Sequence, residues 1–255
     1  DARCPASSRN FRLEESYQHK TRLLILGKTD LAEASVTKAW VQHFRDQDLS
    51  CLTLHHTQGD LVSRVMRELQ IAEAAGRRRR GATVPRLRAL RVMVLGLPNV
   101  GKSSLINALV KRSPTKTGPT PGLTRHQQWV KLNEDVELLD TPGIMAPKVA
   151  EVEAGLRLGL IAAVKDDLIG DEILADYLHH LCQQTPRPRV LQTYDLPELP
   201  DSGEALLDQI ATRRGLVQGG GVLDRHGAAG LLLRDFRAGT FGRWSLDPRP
   251  EPSPA

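Results

Sequence analysis

The chain has 255 residues, 40% hydrophobic and 25% charged, which suits one large or two small globular domains and excludes a disordered or fibrous protein. A formal net charge of +5 permits a polyanionic partner without requiring one, and no apolar run is long enough to cross a bilayer. Three cysteines, Cys4, Cys51 and Cys182, lack the spacing of a disulfide or zinc framework and read as reduced thiols of a cytoplasmic protein.

In chain order, Asp1 to Asn10 reads as a loop, broken by Pro5, Ser7 and Ser8. The chain opens without Met, so an upstream segment is expected. Arg22 to Leu26 is an apolar run predicted as a buried parallel strand. It leads into Gly27-Lys28-Thr29-Asp30, which resembles the guanine-recognition motif N-K-x-D with Gly27 in place of Asn. A carboxylate at Asp30 would accept the two ring N–H groups that guanine has and adenine lacks, and the Lys28 stem would cover the base. Losing the asparagine costs about 1 kcal/mol of hydrogen bonding and leaves ATP open as a substrate. A helix is predicted over Ser35 to Asp46, with Trp40 and Phe44 inward, and a strand over Cys51 to Leu54. His55 and His56 lie in the following loop without a third metal ligand. Asp60 to Ala75 is predicted as a helix stopped by Gly76. Arg77 to Arg80, with Arg86, Arg88 and Arg91, would form a basic connector, either solvated or on nucleic-acid phosphates.

Gly96-Leu97-Pro98-Asn99-Val100-Gly101-Lys102-Ser103-Ser104 fits G-x-x-x-x-G-K-[ST], between a predicted strand (Arg91 to Leu95) and a predicted helix (Leu105 to Val110). Backbone N–H groups of such a loop face phosphate oxygens, Lys102 supplies a cation, and the Ser103 hydroxyl is suited to Mg2+. Lys111 to Gly122 reads as a mobile loop. It precedes Thr124, placed like the switch threonine that completes Mg2+ coordination, and an edge strand from Gln127 to Leu132. Val136 to Leu139 leads into Asp140-Thr141-Pro142-Gly143, a D-x-x-G motif in which Asp140 holds Mg2+ through water and the Gly143 N–H senses the γ-phosphate. The next residue is Ile144, which cannot orient water as the glutamine of Ras-like enzymes does, so slow intrinsic turnover is expected.

Helices are predicted around Leu156 to Val164, Ile173 to Leu181, Glu204 to Arg214 and Leu223 to Ala238. Pro186 and Pro188 act as breakers, and Gly219 to Gly221 as a hinge-like loop. This region carries Arg213, Arg214, Arg225, Arg234, Arg237 and Arg243. The expected division is a nucleotide-binding domain over 1–148, a helical RNA- or ribosome-binding domain over 149–246, and a disordered tail over 247–255.

The guanine motif lies upstream of the phosphate loop, so the fold class is α/β, a circularly permuted P-loop GTPase domain with a mostly parallel sheet flanked by helices, followed by an all-helical domain. Together with this order, the opening Asp-Ala-Arg-x-Pro and the stretches PNVGKSS, PGLTRHQQW, DTPGI, GLRLGLIAAVKDDLIGDE and RDFRAGTFGRW resemble the YlqF/RbgA family of circularly permuted ribosome-assembly GTPases. The resemblance implies GTP hydrolysis to GDP and phosphate, stimulated on the ribosome, and binding to the large ribosomal subunit and its rRNA, with neither DNA nor membrane as partner. The alternative is a nucleotide-switched RNA-binding assembly factor with little catalysis. The implied nucleotide residues are Lys28, Thr29, Asp30, Pro98 to Ser104 (Pro98, Asn99, Val100, Gly101, Lys102, Ser103 and Ser104), Thr124 and Gly143. Lys102, Thr124 and Gly143 serve catalysis, Ser103, Thr124 and Asp140 serve Mg2+, and Asn99 holds K+. It also implies an upstream histidine that substitutes for the missing glutamine.

Overall fold

The computed structural model describes residues 1–55, 60–81, 88–111, 128–140, 151–164 and 168–251, the side chains of residues 11–13, 128, 130 and 140 excepted. The chain divides into two units, one of Asp1–Lys148 with Ser245–Ala255 and one of Val149–Trp244.

In the first unit, β1 (Leu23–Leu26) and β2 (Ser50–Thr53) pair in parallel, Leu23 opposite Ser50. β3 (Leu90–Met93) and β5 (Val136–Asp140) also pair in parallel, and β4 (Gln128–Lys131) adds an antiparallel edge to β5. Parallel strands need long crossovers, which the helices supply. These are α2 (Ala34–Asp46) after β1, α3 (Leu61–Arg79) after β2 and α4 (Lys102–Lys111) after β3. Leu52, Leu54, Val65, Ile106, Leu109, Val136 and Leu138 form one shared core. A second cluster joins Ala2, Leu26, Trp40, Phe44, Leu49 and Cys51. Trp40 and Phe44 are core, as the spacing of α2 predicts, with ring centroids 5.3 Å apart. A short helix, α1 (Phe11–Ser16), was not foreseen.

Gly76 does not stop α3, which runs on to Arg79. A Cβ at Gly76 would meet the Thr21 hydroxyl at 2.3 Å. The glycine is there to admit a neighbouring segment, and the cost of about 1 kcal/mol for glycine in a helix is tolerated. Arg77 to Arg79 therefore lie in the last helical turn, where cations suit the helix dipole. Arg79 pairs with Asp48 at 3.3 Å, and Arg80 donates to the Thr21 hydroxyl at 3.0 Å. Arg86 lies outside the described residues.

The second unit is built of α5 (Val152–Leu160), α6 (Asp171–Gln184), α7 (Pro188–Tyr194), α8 (Gly203–Arg214) and α9 (Arg225–Ala238). The helical pattern breaks at Pro186 and Pro188 between α6 and α7, and Pro188 opens α7, because proline at the first helical position forfeits no bond. Leu174, Leu178, Leu206, Ile210, Leu232 and Phe236 are buried in its core. Arg213 pairs with Asp195, Arg214 donates to the Thr193 carbonyl, and Arg225 grips Asp208 with two nitrogens. Arg237 donates to the carbonyls of Gly159 and Leu160 at the end of α5. Arg225 and Arg237 brace the unit, while Arg213, Arg214, Arg234 and Arg243 are exposed.

The tail differs from the expected disorder over residues 247–251; residues 252–255 lie outside the described set. Asp247 is buried, and its carboxylate accepts from the Ala6 and Ser7 N–H groups at 2.7 and 2.9 Å and from the Ser7 hydroxyl. The Trp40 indole donates to the Pro248 carbonyl at 3.1 Å.

Candidate nucleotide-binding site

The phosphate loop lies between the end of β3 and the start of α4. Gly101 has φ 104°, which a side chain would strain, and Asn99 takes the left-handed value of 55°. The ammonium of Lys102 crosses the loop to the Leu97 carbonyl, whose own side chain is buried. Partial burial lowers the pKa of that ammonium. Pro98, Asn99, Ser103 and Ser104 are exposed, so the Ser103 hydroxyl at the head of α4 faces solvent, where a phosphate-bound cation would sit.

β1 ends on the same side of the first unit. Lys28 is left-handed at φ 58°, and the turn is closed by the Leu31 N–H on the Lys28 carbonyl at 3.0 Å. Asp30 is exposed and open to a ligand. Gly27 brings the two loops together: a Cβ there would stand 3.1 Å from the Val100 carbonyl oxygen. Two motifs some 70 positions apart thus come so close that a side chain at Gly27 would crowd the Val100 carbonyl. Met93 of β3 lies opposite Leu139 in the parallel register, so Asp140, at the end of β5, reaches the same edge as the phosphate loop. Ligand sites of open α/β sheets occupy such edges. Thr124, Thr141, Pro142, Gly143, Ile144 and His56 lie outside the described residues, as does the side chain of Asp140.

Sequence reasoning missed the opening segment. Asp1, Ala2, Arg3, Cys4 and Pro5 are buried. The Ala2 N–H donates to the Gly27 carbonyl at 2.8 Å, and the Asp1 carboxylate lies 3.5 Å from the Lys28 ammonium. Burial pushes the Arg3 guanidinium pKa down, opposed by Cys4 and by the Asp30 carboxylate. No local periodicity signals these partners; only the Asp-Ala-Arg-x-Pro resemblance pointed to the segment.

Comparison with known proteins decides the family. A family profile described as 50S ribosome-binding GTPase matches residues 91–192. The chain is 39% identical over 254 residues to ribosome biogenesis GTPase A of Bacillus licheniformis, covering 98% of this chain and 88% of that protein. The chain belongs to the YlqF/RbgA family of ribosome biogenesis GTPases. Mitochondrial ribosome-associated GTPase 1 of Bos taurus is 33% identical over 268 residues, covering 97% of this chain and 80% of that protein. The crystal structure of GNP-bound YlqF from T. maritima superposes with a TM-score of 0.67 at 25% identity, covering 97% of this chain and 89% of that one. A GDP-bound YlqF structure gives the same score and identity, with 91% of that chain covered. The fold is that of a P-loop GTPase, and the protein binds guanine nucleotide and hydrolyses GTP. The ATP reading opened by Gly27 falls away. Among the described residues no helix is long and apolar enough to cross a membrane.

Proposed function

We propose that this GTPase acts in the cytoplasm as a late assembly factor of the large ribosomal subunit, with GTP hydrolysis timing its release. The observation that supports the reading is the close approach of Gly27, at the head of the Lys28–Asp30 turn, to the Val100 carbonyl of the phosphate loop. Lys102 and the loop amides bind the phosphates, Lys28, Thr29 and Asp30 take the guanine, and Gly143 senses the γ-phosphate. The donor set suits Mg2+: a solvent-facing hydroxyl at Ser103 and a carboxylate-bearing residue, Asp140, at the same sheet edge, with Thr124 as the third group. Bound there, Mg2+ neutralises phosphate charge. The exposed amide of Asn99 would serve K+ against the same phosphates.

The motif order supports a circularly permuted domain, in which the segment after Gly143 runs directly into the helical unit and couples nucleotide state to its position. That unit would touch ribosomal RNA, with Arg213, Arg214, Arg234 and Arg243 among its exposed cations. Because Ile144 cannot orient water, RNA or the assembled subunit would complete the site. Single-turnover GTP hydrolysis with and without large subunits tests this. Acceleration of 10-fold or more is the expected result, on the order of a supplied catalytic group. Lys102→Ala should abolish it, and equal rates with and without subunits would refute the proposal.

A further inference from the structure

The buried segment at the head of the chain has chemistry that the nucleotide site does not itself use. The Asp1 carboxylate accepts from the Arg3 backbone N–H at 3.1 Å and from the Arg3 guanidinium at 3.0 and 2.9 Å. This ion pair is almost wholly shielded, with side chains 0% and 2% exposed, so it is unscreened and geometrically fixed. The same carboxylate faces the ammonium of Lys28, whose left-handed backbone an L-residue keeps only where its surroundings enforce it.

The segment is held from behind by the far end of the chain. The Arg3 carbonyl accepts from the Leu246 N–H at 2.8 Å and from the Asp247 N–H at 3.3 Å. Asp247 in turn caps Ala6 and Ser7, as described above. A continuous hydrogen-bonded path therefore leads from Asp247 through residues 1–7 to Gly27 and Lys28.

We propose that Asp1, in a segment clamped at Arg3, Ala6 and Ser7 by Leu246 and Asp247, is a positioning residue for the base-recognition loop and sets its preference for guanine. The inference rests on the assignment of Lys28 and Asp30 to the base. Asp1 aims the Lys28 stem, and the Ala2 N–H fixes the Gly27 carbonyl at the root of the loop. The phosphate loop has its own tether at Leu97 and Lys102 and meets this path only where Gly27 approaches the Val100 carbonyl. The strap should therefore affect the base and spare the phosphates.

The test measures Kd for GDP, ADP and pyrophosphate on the full chain and on Asp1→Asn, Asp247→Ala and the double variant. GDP binding should weaken roughly 5-fold or more in each single variant, within the usual range of site coupling. Pyrophosphate and ADP should stay within about 2-fold. The double variant should lose little beyond the larger single effect, because both residues act along one path. Asp247→Ala keeps the test open should Asp1→Asn fail to fold through its bared Arg3. GDP affinity unchanged in the variants overturns the proposal, as does an equal loss of GDP and pyrophosphate, which marks a merely structural strap. A parent chain that binds ADP as well as GDP overturns the base-loop assignment itself, an outcome visible before any variant is made.

Discussion

Substituting Gly27 probes the joint between the two loops. An alanine Cβ would stand 3.1 Å from the Val100 carbonyl oxygen, a few tenths of an ångström inside ordinary contact. Gly27 has no positive φ, so alanine suits its backbone and gains about 0.4–1 kcal/mol from a stiffer unfolded chain. The phosphate loop yields poorly, because Leu97 is 1% exposed and its carbonyl holds Lys102. Overpacking of this kind costs roughly 1–3 kcal/mol. The net loss of overall stability is then about 0–2.6 kcal/mol, and the strain falls on the phosphate-binding backbone. Gly27→Ala should therefore weaken GDP and pyrophosphate alike, by roughly 5- to 30-fold for about 1–2 kcal/mol. Gly27→Asn carries the same Cβ but restores an amide to the base motif, so its GDP-to-pyrophosphate affinity ratio should exceed that of Gly27→Ala. Titration of a fluorescent guanine nucleotide, with GDP and pyrophosphate as competitors, reads both. Unchanged affinities in Gly27→Ala would mean that the phosphate loop gives way freely, and would refute the reasoning.

Other outcomes follow from burial. Phe44 is fully buried against Trp40, with the Arg9 guanidinium 5.1 Å from its ring centre, so Phe44→Ala should cost about 3–5 kcal/mol in urea unfolding. Arg237→Met removes the side-chain donor from the Leu160 carbonyl and one donor from the Gly159 carbonyl, which keeps the Ala162 N–H at 2.9 Å, and should cost about 1–3 kcal/mol, read from denaturation of the whole chain. Burial pushes the Cys51 thiol up to about 11 and the Cys182 thiol to about 12, so Ellman's reagent at pH 8 should label neither until urea is added. Both thiols hold their protons more tightly folded than unfolded, so their contribution is complete below the ordinary thiol pKa and is lost as pH rises through 11 and 12. Unfolding at graded pH should show that decline, which Cys182→Ala would reduce.

What the sequence revealed depended on range. The phosphate loop was legible because its function lies in nine consecutive residues between a strand and a helix. Trp40 and Phe44 were legible because α2 repeats its apolar face locally. Gly76 misled because a glycine that admits Thr21 has the same letter as one that ends a helix. Asp1 to Pro5 carried no local signal, because its partners lie at Gly27, Lys28, Leu246 and Asp247.

The clasp between Ser7 and Asp247 spans 240 positions, and it makes the first unit discontinuous in time as well as in sequence. During synthesis at about 5–20 residues per second, the opening segment must wait roughly 12–48 s before its clamp exists. Over that interval Ala2 and Cys4, fully enclosed in the finished molecule, would stand open to chaperones, proteases and oxidants. The helical unit is made before the nucleotide-binding unit can close, so the GTPase would reach its final form only after the part that follows it in sequence has had time to fold.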